Sequence, residues 1–490
     1  MGVMKGFKDY RQLNHNMYKM NRRQVEKYQG KQLELLLKAA VEGSAFYRSL
    51  YQTNGMLGIE PIPHKSEIQK LIAKQKLEES GFFRLPTINK QIMMDNFDSL
   101  NTCGLKKSEV LEFALGKEFA GDYTGYYKEK YVVGLSSGTS GNKGLYVTPR
   151  EITERLPFVF LARGGVPLHN IPMKILFLLR VFSQGFADIE APLINLTYKS
   201  TMTPPRELLE FINKNQVNII MAPPSMLRIL MEYSNQIKSK IKTIVSYAEV
   251  LEKEEKERLK KAFNCQVNEI YQASEGPIGS TCKCGNMHIN EDLVLVELFD
   301  EKGDKVELPG VIPSRMLVTN LVNTAQPLIR YEMNDLVVLG EKCPCGSSFR
   351  VIDRILGRND DVLLLKDEKG EIVHVFPDLF ARWIITTEDR IREFQVLQKS
   401  SEEIEIKIDL FNIETDAEVR PVDDHAGNAA VEFTNEEETI MEKLKTRIMQ
   451  ELVNFEINCR VEIVVCQIAL PEKMSKYKRF IRTQETESSE

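Results

Sequence analysis

Ser136-Ser137-Gly138-Thr139-Ser140-Gly141-Asn142-Lys143-Gly144 stands between the apolar run Tyr131-Val132-Val133 and Thr148-Pro149-Arg150-Glu151. The apolar run reads as a strand. Thr148 followed by Pro149 reads as a helix start, with Thr as the cap and Pro in the first turn. Glycines let backbone N–H groups turn toward an anion, and the hydroxyls and Lys143 add donors and positive charge. A loop of this composition, set between a strand and a helix, can cradle phosphates. It is not the common P-loop, because no Gly-Lys-Ser/Thr sits four residues after a Gly. Taken alone, the same composition also suits a plain flexible turn.

The flanking chain supplies a sheet to hang the loop on. Strand-like Lys174 to Leu179, Val217 to Met221, Thr243 to Ser246 and Gln266 to Tyr271 alternate with helical Arg206 to Asn213, Pro224 to Ser234 and Lys253 to Phe263. That alternation predicts βαβ units and a parallel sheet, hence an α/β fold. After about Pro277 the pattern turns to antiparallel β, through Leu293 to Leu298, Arg315 to Asn320 and Asp335 to Leu339. Before the loop, the first fifty residues read as helical, with a mostly apolar helix over Lys31 to Ala40.

A boundary is expected near Gly357, giving a large N-terminal domain, 1–357, and a small α+β C-terminal lid, 358–490. Residues 358–490 hold 18 Lys+Arg against 30 Asp+Glu, net −12, which leaves 47 against 40, net +7, for residues 1–357. A positive large part suits a polyanion such as a nucleotide, although two differently solvated surfaces would give the same split. Within the lid, Thr415 to Asn435 reads as a polar loop and Thr483 to Glu490 as a disordered tail.

Composition excludes several classes. With 490 residues and 42% hydrophobic content the chain can bury a large core. Its overall charge of −5 gives no reason to expect a nucleic-acid partner. The most apolar run, Ile175 to Phe182, is broken by Arg180 and is far shorter than the roughly 20 residues of a spanning helix. Met1 to Arg11 lacks the apolar stretch of a signal peptide. Eight cysteines in this length are too sparse for a secreted disulfide scaffold. A cytoplasmic protein with no membrane partner is expected.

Three later segments carry polar residues suited to a nucleotide. Tyr271-Gln272-Ala273-Ser274-Glu275-Gly276 ends a strand, where α/β ligand sites lie. Arg330-Tyr331-Glu332-Met333-Asn334-Asp335 ends in a carboxylate that could hold ribose hydroxyls, and Gly357-Arg358-Asn359-Asp360-Asp361 sits at the expected boundary. In this order the segments resemble the adenylate-forming superfamily of acyl-CoA synthetases, and more narrowly its phenylacetate–CoA ligase branch, which includes a coenzyme adenylyltransferase and capsule-gene relatives. The resemblance runs from Leu35 to Arg479. It departs from the family pattern at Ser475 and Asn334, where Gly is usual, and at Gln272.

The resemblance implies a two-step reaction. A carboxylic acid attacks the α-phosphate of ATP to give an acyl-adenylate and pyrophosphate, and a thiol of coenzyme A or an acyl-carrier protein then displaces AMP. Ser136, Ser137, Gly138, Thr139, Ser140, Gly141 and Lys143 would hold the phosphates. Glu275, beside Tyr271 and Ser274, would help hold Mg2+, a hard cation that takes oxygen ligands. Ala248 and Glu249 would neighbour the adenine, Asp335 would accept the ribose hydroxyls, and Arg358 would contact ribose or phosphate. Lys476, in Lys473-Met474-Ser475-Lys476-Tyr477-Lys478-Arg479, would be the adenylation lysine, and Asp360 the hinge. The acid pocket is expected between Arg163 and Glu275, with Phe182, Phe186, Pro224 and Met226 either lining it or in the core. Two other readings stay open: transfer of AMP onto a hydroxyl acceptor, and a non-catalytic protein that keeps the fold.

Cys282, Cys284, His288, Cys343 and Cys345 form two soft-ligand pairs and an imidazole in loops between strands, a set that suits tetrahedral Zn2+. The phenylacetate–CoA ligase branch has similar residues here. The expected ligands of a structural zinc are therefore Cys282 or Cys284, with His288, Cys343 and Cys345.

Overall fold

The computed structural model describes residues 3–55, 81–120, 124–136, 144–163, 170–179, 193–358, 361–388, 390–411, 434–468 and 478–482. The chain divides into two compact units, Met1–Leu251 with Leu259–Ile355, and Glu252–Arg258 with Leu356–Glu490. Ser137 to Lys143, Asp360, Lys476, Phe182 and Phe186 lie outside the described residues, as do most of the expected polar loop and all of the expected tail.

In the first unit, β1 (Tyr131–Leu135) and β2 (Leu145–Pro149) form an antiparallel hairpin. A nine-stranded sheet follows. Its strands are β3 (Met173–Leu179), β4 (Ile194–Ser200), β5 (Ile219–Ala222), β6 (Thr243–Tyr247), β7 (Gln266–Ala273), β8 (Gly276–Thr281) and β9 (Met287–Ile289). A separate three-stranded sheet comprises β10 (Val294–Phe299), β11 (Arg315–Asn320) and β12 (Tyr331–Met333), after which β13 (Asp335–Gly340) and β14 (Val351–Arg358) complete the large one. Its order is β13-β14-β9-β8-β7-β6-β5-β3-β4.

The α/β expectation holds. β3 to β7 are mutually parallel, and β3 is a nearly unbroken apolar run because parallel strands are covered on both faces. Helix Pro205–Asn215 between β4 and β5 starts with Pro in its first turn and ends at Gln216 in the left-handed region, φ 50°. The turn to antiparallel β after about Pro277 holds as well: β8, β9 and β14 pair antiparallel within the large sheet, and β10, β11 and β12 form an antiparallel sheet of their own. One detail of the sequence reading needs correction. A helix does start after the loop, but Thr148-Pro149 ends β2, so the helix begins at Arg150 with Pro149, not Thr148, at its cap and no side-chain cap bond.

Buried ion pairs fasten the first unit. Glu291, buried on β9's flank, accepts from Arg22 (2.6 Å) and Arg350 (2.8 Å), and Asp292 accepts from Arg163 (2.6 Å) and Asn16 (3.0 Å). Glu297 on β10 takes a two-pronged grip from Arg330, at 2.9 and 3.1 Å. These bonds tie the N-terminal helices Val3–Lys19 and Arg22–Gly43 to the sheets.

The second unit has its own core. β15 (Leu363–Lys366) and β16 (Ile372–Val375) form a hairpin, and β17 (Ile391–Ser400), β18 (Glu403–Leu410), β19 (Arg460–Val465) and β20 (Phe480–Arg482) form a sheet ordered β19-β18-β17-β20. β18 alternates strictly, with Ile404, Ile406 and Ile408 all buried. Helix Asn435–Asn454 opens with a capping box between Thr434 and Glu437, and lays Ile440, Leu444, Ile448 and Leu452 along one buried face.

Removing one partner of a buried pair strands the other charge, at a typical loss of about 3–5 kcal/mol. Glu297→Ala is therefore expected to lower stability on that scale in denaturant unfolding. The double replacement Glu297→Met with Arg330→Met should recover most of the loss.

Candidate functional site

The two ends of the phosphate-type loop are clasped. Ser136 N–H donates to the Gly144 carbonyl (2.8 Å), and Gly144 N–H donates back to Ser136 Oγ (2.7 Å). The loop is thus the tip of a hairpin, with Leu135 opposite Leu145. The outer edge of β2 is closed by amide side chains. Gln326 accepts from Val147 N–H (2.7 Å) and donates to the Leu145 carbonyl (2.9 Å), and Asn323 donates to the Val147 carbonyl (2.8 Å). These side chains act as a surrogate strand and fix the hairpin that carries the loop.

Between them, on β2, Tyr146 is buried and reaches across to two other segments. Its hydroxyl donates to Glu275 Oε1 at 2.7 Å and lies 3.1 Å from the Tyr331 hydroxyl. The Tyr146 proton is committed to Glu275, and the Tyr331 hydroxyl stands beside the pair, within hydrogen-bond reach of the Tyr146 oxygen. Burial and the Glu275 charge push the Tyr146 phenol far up, which keeps it a donor.

Glu275 sits in the two-residue turn between β7 and β8, where Ala273 faces Gly276. Parallel β7 places that turn at the carboxyl edge of the sheet, where open α/β sheets bind ligands. Its own carbonyl is held by Asn320 Nδ2 at 2.8 Å. Burial raises the Glu275 carboxyl, hydrogen bonds from Tyr146 and Tyr331 oppose this, and the charge of Asp335 adds to the rise. No Lys or Arg among the described residues pairs with it. A largely buried carboxylate facing a second carboxylate without a counter-charge is an environment that fits a cation.

Asp335 opens β13, and its Oδ2 accepts from Tyr271 on β7 at 2.8 Å. The structure therefore brings together Ser136, Tyr271, Glu275 and Asp335, four of the residues expected from sequence, through Tyr146, Tyr331 and Asn320. Ser274 is exposed at the same turn. Arg358 ends β14. Of the three linking residues, Tyr331 stands in the quoted ribose segment and Tyr146 two residues past the loop, and Asn320 carried no sequence signal beyond ending a strand. Arg330, quoted with the ribose segment, is spent on Glu297.

Ala248 and Glu249 follow β6 at the same carboxyl edge. Ala248 has φ 68°, an unusual conformation for a residue with a Cβ. Glu249 does structural work: its carboxylate accepts from Ser225 N–H (3.0 Å) and Ser225 Oγ (2.9 Å) at the start of helix Pro224–Glu232, which has no side-chain cap of its own. Pro224 and Met226 are buried in that helix, and Arg163 is buried against Asp292 and the Leu13 carbonyl. Pro224 and Met226 are the two expected pocket-or-core residues that the structure describes, and both are buried.

A second cluster lies at the other end of β8. Cys282, His288, Cys343 and Cys345 place one ligand atom each within 4.8 Å of one another, all buried. Cys282 Sγ is 3.6 Å from Cys343 Sγ, and Cys345 Sγ is 3.5 Å from His288 Nε2. Tetrahedral zinc with bonds of about 2.3 Å to sulfur and 2.0–2.1 Å to nitrogen has S···S edges of about 3.8 Å and S···N edges of about 3.6 Å. His288 Nδ1 is 2.8 Å from the Phe349 carbonyl, which fixes the proton there and turns Nε2 toward the sulfurs. Backbone N–H groups of Cys284, Cys345 and Ser347 point at the sulfurs of Cys282, Cys343 and Cys345, each at 3.4 Å. Burial raises the Cys282 thiol, but hydrogen bonds from His288 and its neighbours outweigh it and bring it down to about 6. Burial and the adjoining thiols push Cys345 up to about 12. The set could hold a soft divalent metal. Of the two cysteines left open by the sequence, Cys282 is in the buried cluster and Cys284 is exposed outside it.

No protein-family model matches the chain. It is 25% identical over 395 residues to Protein CapK of Staphylococcus aureus, covering 76% of this chain and 75% of that protein. It is 30% identical over 128 residues to a phenylacetate-coenzyme A ligase of Thermus thermophilus, covering 25% of this chain and 27% of that protein. Among solved structures it is similar to 2-hydroxyisobutyryl-CoA ligase in the postadenylation state with 2-HIB-AMP, with a TM-score of 0.67, 16% identity, and coverage of 96% of this chain and 92% of that one. The likeness to the adenylate-forming superfamily and its phenylacetate–CoA ligase branch, drawn from the motifs, is borne out, and the fold is that of these ligases.

A carboxylate at a helix N-terminus satisfies free N–H groups and meets the positive end of the dipole, a contribution of about 0.5–2 kcal/mol. Glu249→Ala is expected to lower the denaturation midpoint accordingly. Hydrogen exchange should show faster opening of helix Pro224–Glu232.

Proposed function

We propose that the chain activates a carboxylic acid with ATP to an acyl-adenylate and passes the acyl group to a thiol, that of coenzyme A or a carrier protein, releasing AMP and pyrophosphate. The observation that carries this reading is the convergence of the clasped loop, Glu275 and Asp335 at the carboxyl edge of the sheet, on a fold shared with acyl-CoA ligases. In-line attack at phosphorus needs positioned charge more than covalent help. The loop from Ser136 to Gly144 would donate N–H groups, hydroxyls and Lys143 to the phosphates. Asp335, steadied by Tyr271, would accept the ribose hydroxyls. Ala248 and Glu249 would neighbour the adenine, and Arg358 the ribose or phosphate. Lys476 would give its ammonium to the carboxylate and α-phosphate oxygens as charge develops. Glu275 would hold Mg2+, which would supply positive charge to screen the phosphates.

The thiol cluster fits a structural Zn2+ bound by Cys282, His288, Cys343 and Cys345, since four protein ligands leave no open position for chemistry. Nothing in its chemistry is needed for acyl transfer. Its part would be to hold the ends of β8, β9 and β13.

Two measurements test the reading. ATP–pyrophosphate exchange should depend on an added carboxylic acid, and a screen over acids would identify the substrate. Exchange that needs no acid would favour transfer of AMP to a hydroxyl, and none with any acid would favour a non-catalytic protein. Lys476→Ala is expected to lose about 2.7–4 kcal/mol of transition-state stabilisation, a hundredfold or more in adenylation. It should still convert a supplied acyl-adenylate to thioester.

Metal analysis of reduced protein should find about one zinc per chain. Cys282→Ser and Cys343→Ser should lose it, and Cys284→Ser should keep it.

A further inference from the structure

Tyr146 stands between the end of the loop, at Gly144, and the Glu275 carboxylate. Its ring packs over the last residue of the loop so closely that a Cβ added to Gly144 would lie 2.7 Å from Tyr146 Cε2 and 3.1 Å from its hydroxyl. The same hydroxyl donates to Glu275 Oε1 and lies 3.1 Å from the Tyr331 hydroxyl. Tyr331 is on β12, four residues before Asp335, and the backbone ahead of it is pinned by Arg330 in the left-handed region, φ 49°, gripping Glu297. Gln326 and Asn323 hold both flanks of Tyr146 on β2. The ring therefore cannot move without the end of the loop moving, and the Glu275 carboxylate cannot turn without breaking its bond to that ring.

We propose that Tyr146 is a positioning residue that orients the cation carboxylate Glu275, an inference that rests on the nucleotide reading above. The phenol holds one carboxylate oxygen at 2.7 Å, so Glu275 presents a single orientation to Mg2+ and the other oxygen is left for the cation. The cation's contribution to nucleotide affinity then depends on that one hydroxyl.

The test is ATP binding by calorimetry, in EDTA and in saturating Mg2+, for the wild type and Tyr146→Phe. Phe keeps the ring and removes only the donor. Wild-type affinity should rise on adding Mg2+. Tyr146→Phe should keep its affinity in EDTA and lose about tenfold of the Mg2+ enhancement, the scale of one hydrogen bond to a charged group. In pyrophosphate exchange its half-saturating Mg2+ should rise by a similar factor. An unchanged Mg2+ enhancement overturns the proposal, and so does an equal loss with and without Mg2+, which would mark a purely structural ring. A wild type that binds no ATP overturns the nucleotide reading together with this one. Should Tyr146→Phe not fold, Tyr331→Phe replaces it: loss of the bond that supports the Tyr146 hydroxyl should weaken the enhancement about threefold, and no change there overturns the proposal.

Discussion

The rest of the site depends on a tight turn. Between β7 and β8 the sheet passes from parallel to antiparallel pairing in two residues, Ser274 and Glu275. A connection that short leaves the carboxylate no freedom along the strand. It must stand at the carboxyl edge, where β5 and β6 also end. The Asn320 amide then fixes the turn's carbonyl, and the space beside Gly276 is taken, since an added Cβ would lie 3.1 Å from Asn320 Nδ2. A carboxylate held so firmly beside Asp335 carries a standing electrostatic cost, which a cation would relieve.

The same strands carry the thiols at their other ends. β8 runs six residues from Gly276 to Thr281, about 20 Å at ~3.4 Å per residue, with Glu275 before it and Cys282 after it. β13 begins with Asp335 and leads into Cys343 and Cys345. Two strands thus have nucleotide-type carboxylates at one end and a four-ligand cluster at the other. A metal there would join both strand ends to β9 through His288 and so fix the register on which the Glu275–Asp335 spacing relies. The hydrogen bonds to sulfur already prepare the cluster for it, because each N–H stabilises thiolate over thiol.

Much of this was legible in the residues and part was not, for physical reasons. The alternation from Lys174 to Tyr271 reports a parallel sheet because buried strands and amphipathic helices leave different periods in sequence. Leu145-Tyr146-Val147 is too short to show a period, so β2 leaves no signal of its own between the loop and the helix start, and the hairpin that carries the loop stays invisible in sequence. Periodicity is also blind to hydrogen-bond partners. Tyr146, Tyr331 and Asn320 matter through single bonds across 129, 185 and 45 residues of chain. The Cys282–Cys284 pair is symmetrical in sequence, and only the turn after β8, which buries the first and exposes the second, separates them.

The charge split shows where composition misleads. A net of +7 over residues 1–357 suits a polyanion only if those cations face it. Arg22, Arg163, Arg330 and Arg350 all meet buried carboxylates, so these four are not among the cations that could face a ligand, although the net of the remaining charges is almost unchanged. The ion pairs instead do what short-range charge does well in a dry interior: they fix geometry, at a desolvation cost that apolar packing would avoid. Arg330 shows the gain. By gripping Glu297 it holds a left-handed backbone immediately before Tyr331, and Tyr331 in turn braces the hydroxyl that orients Glu275. What net charge leaves out is position: on the proposed reading the charge that meets a nucleotide would be that of Lys143 and of a cation at Glu275, and a sum over 357 residues does not report where those stand.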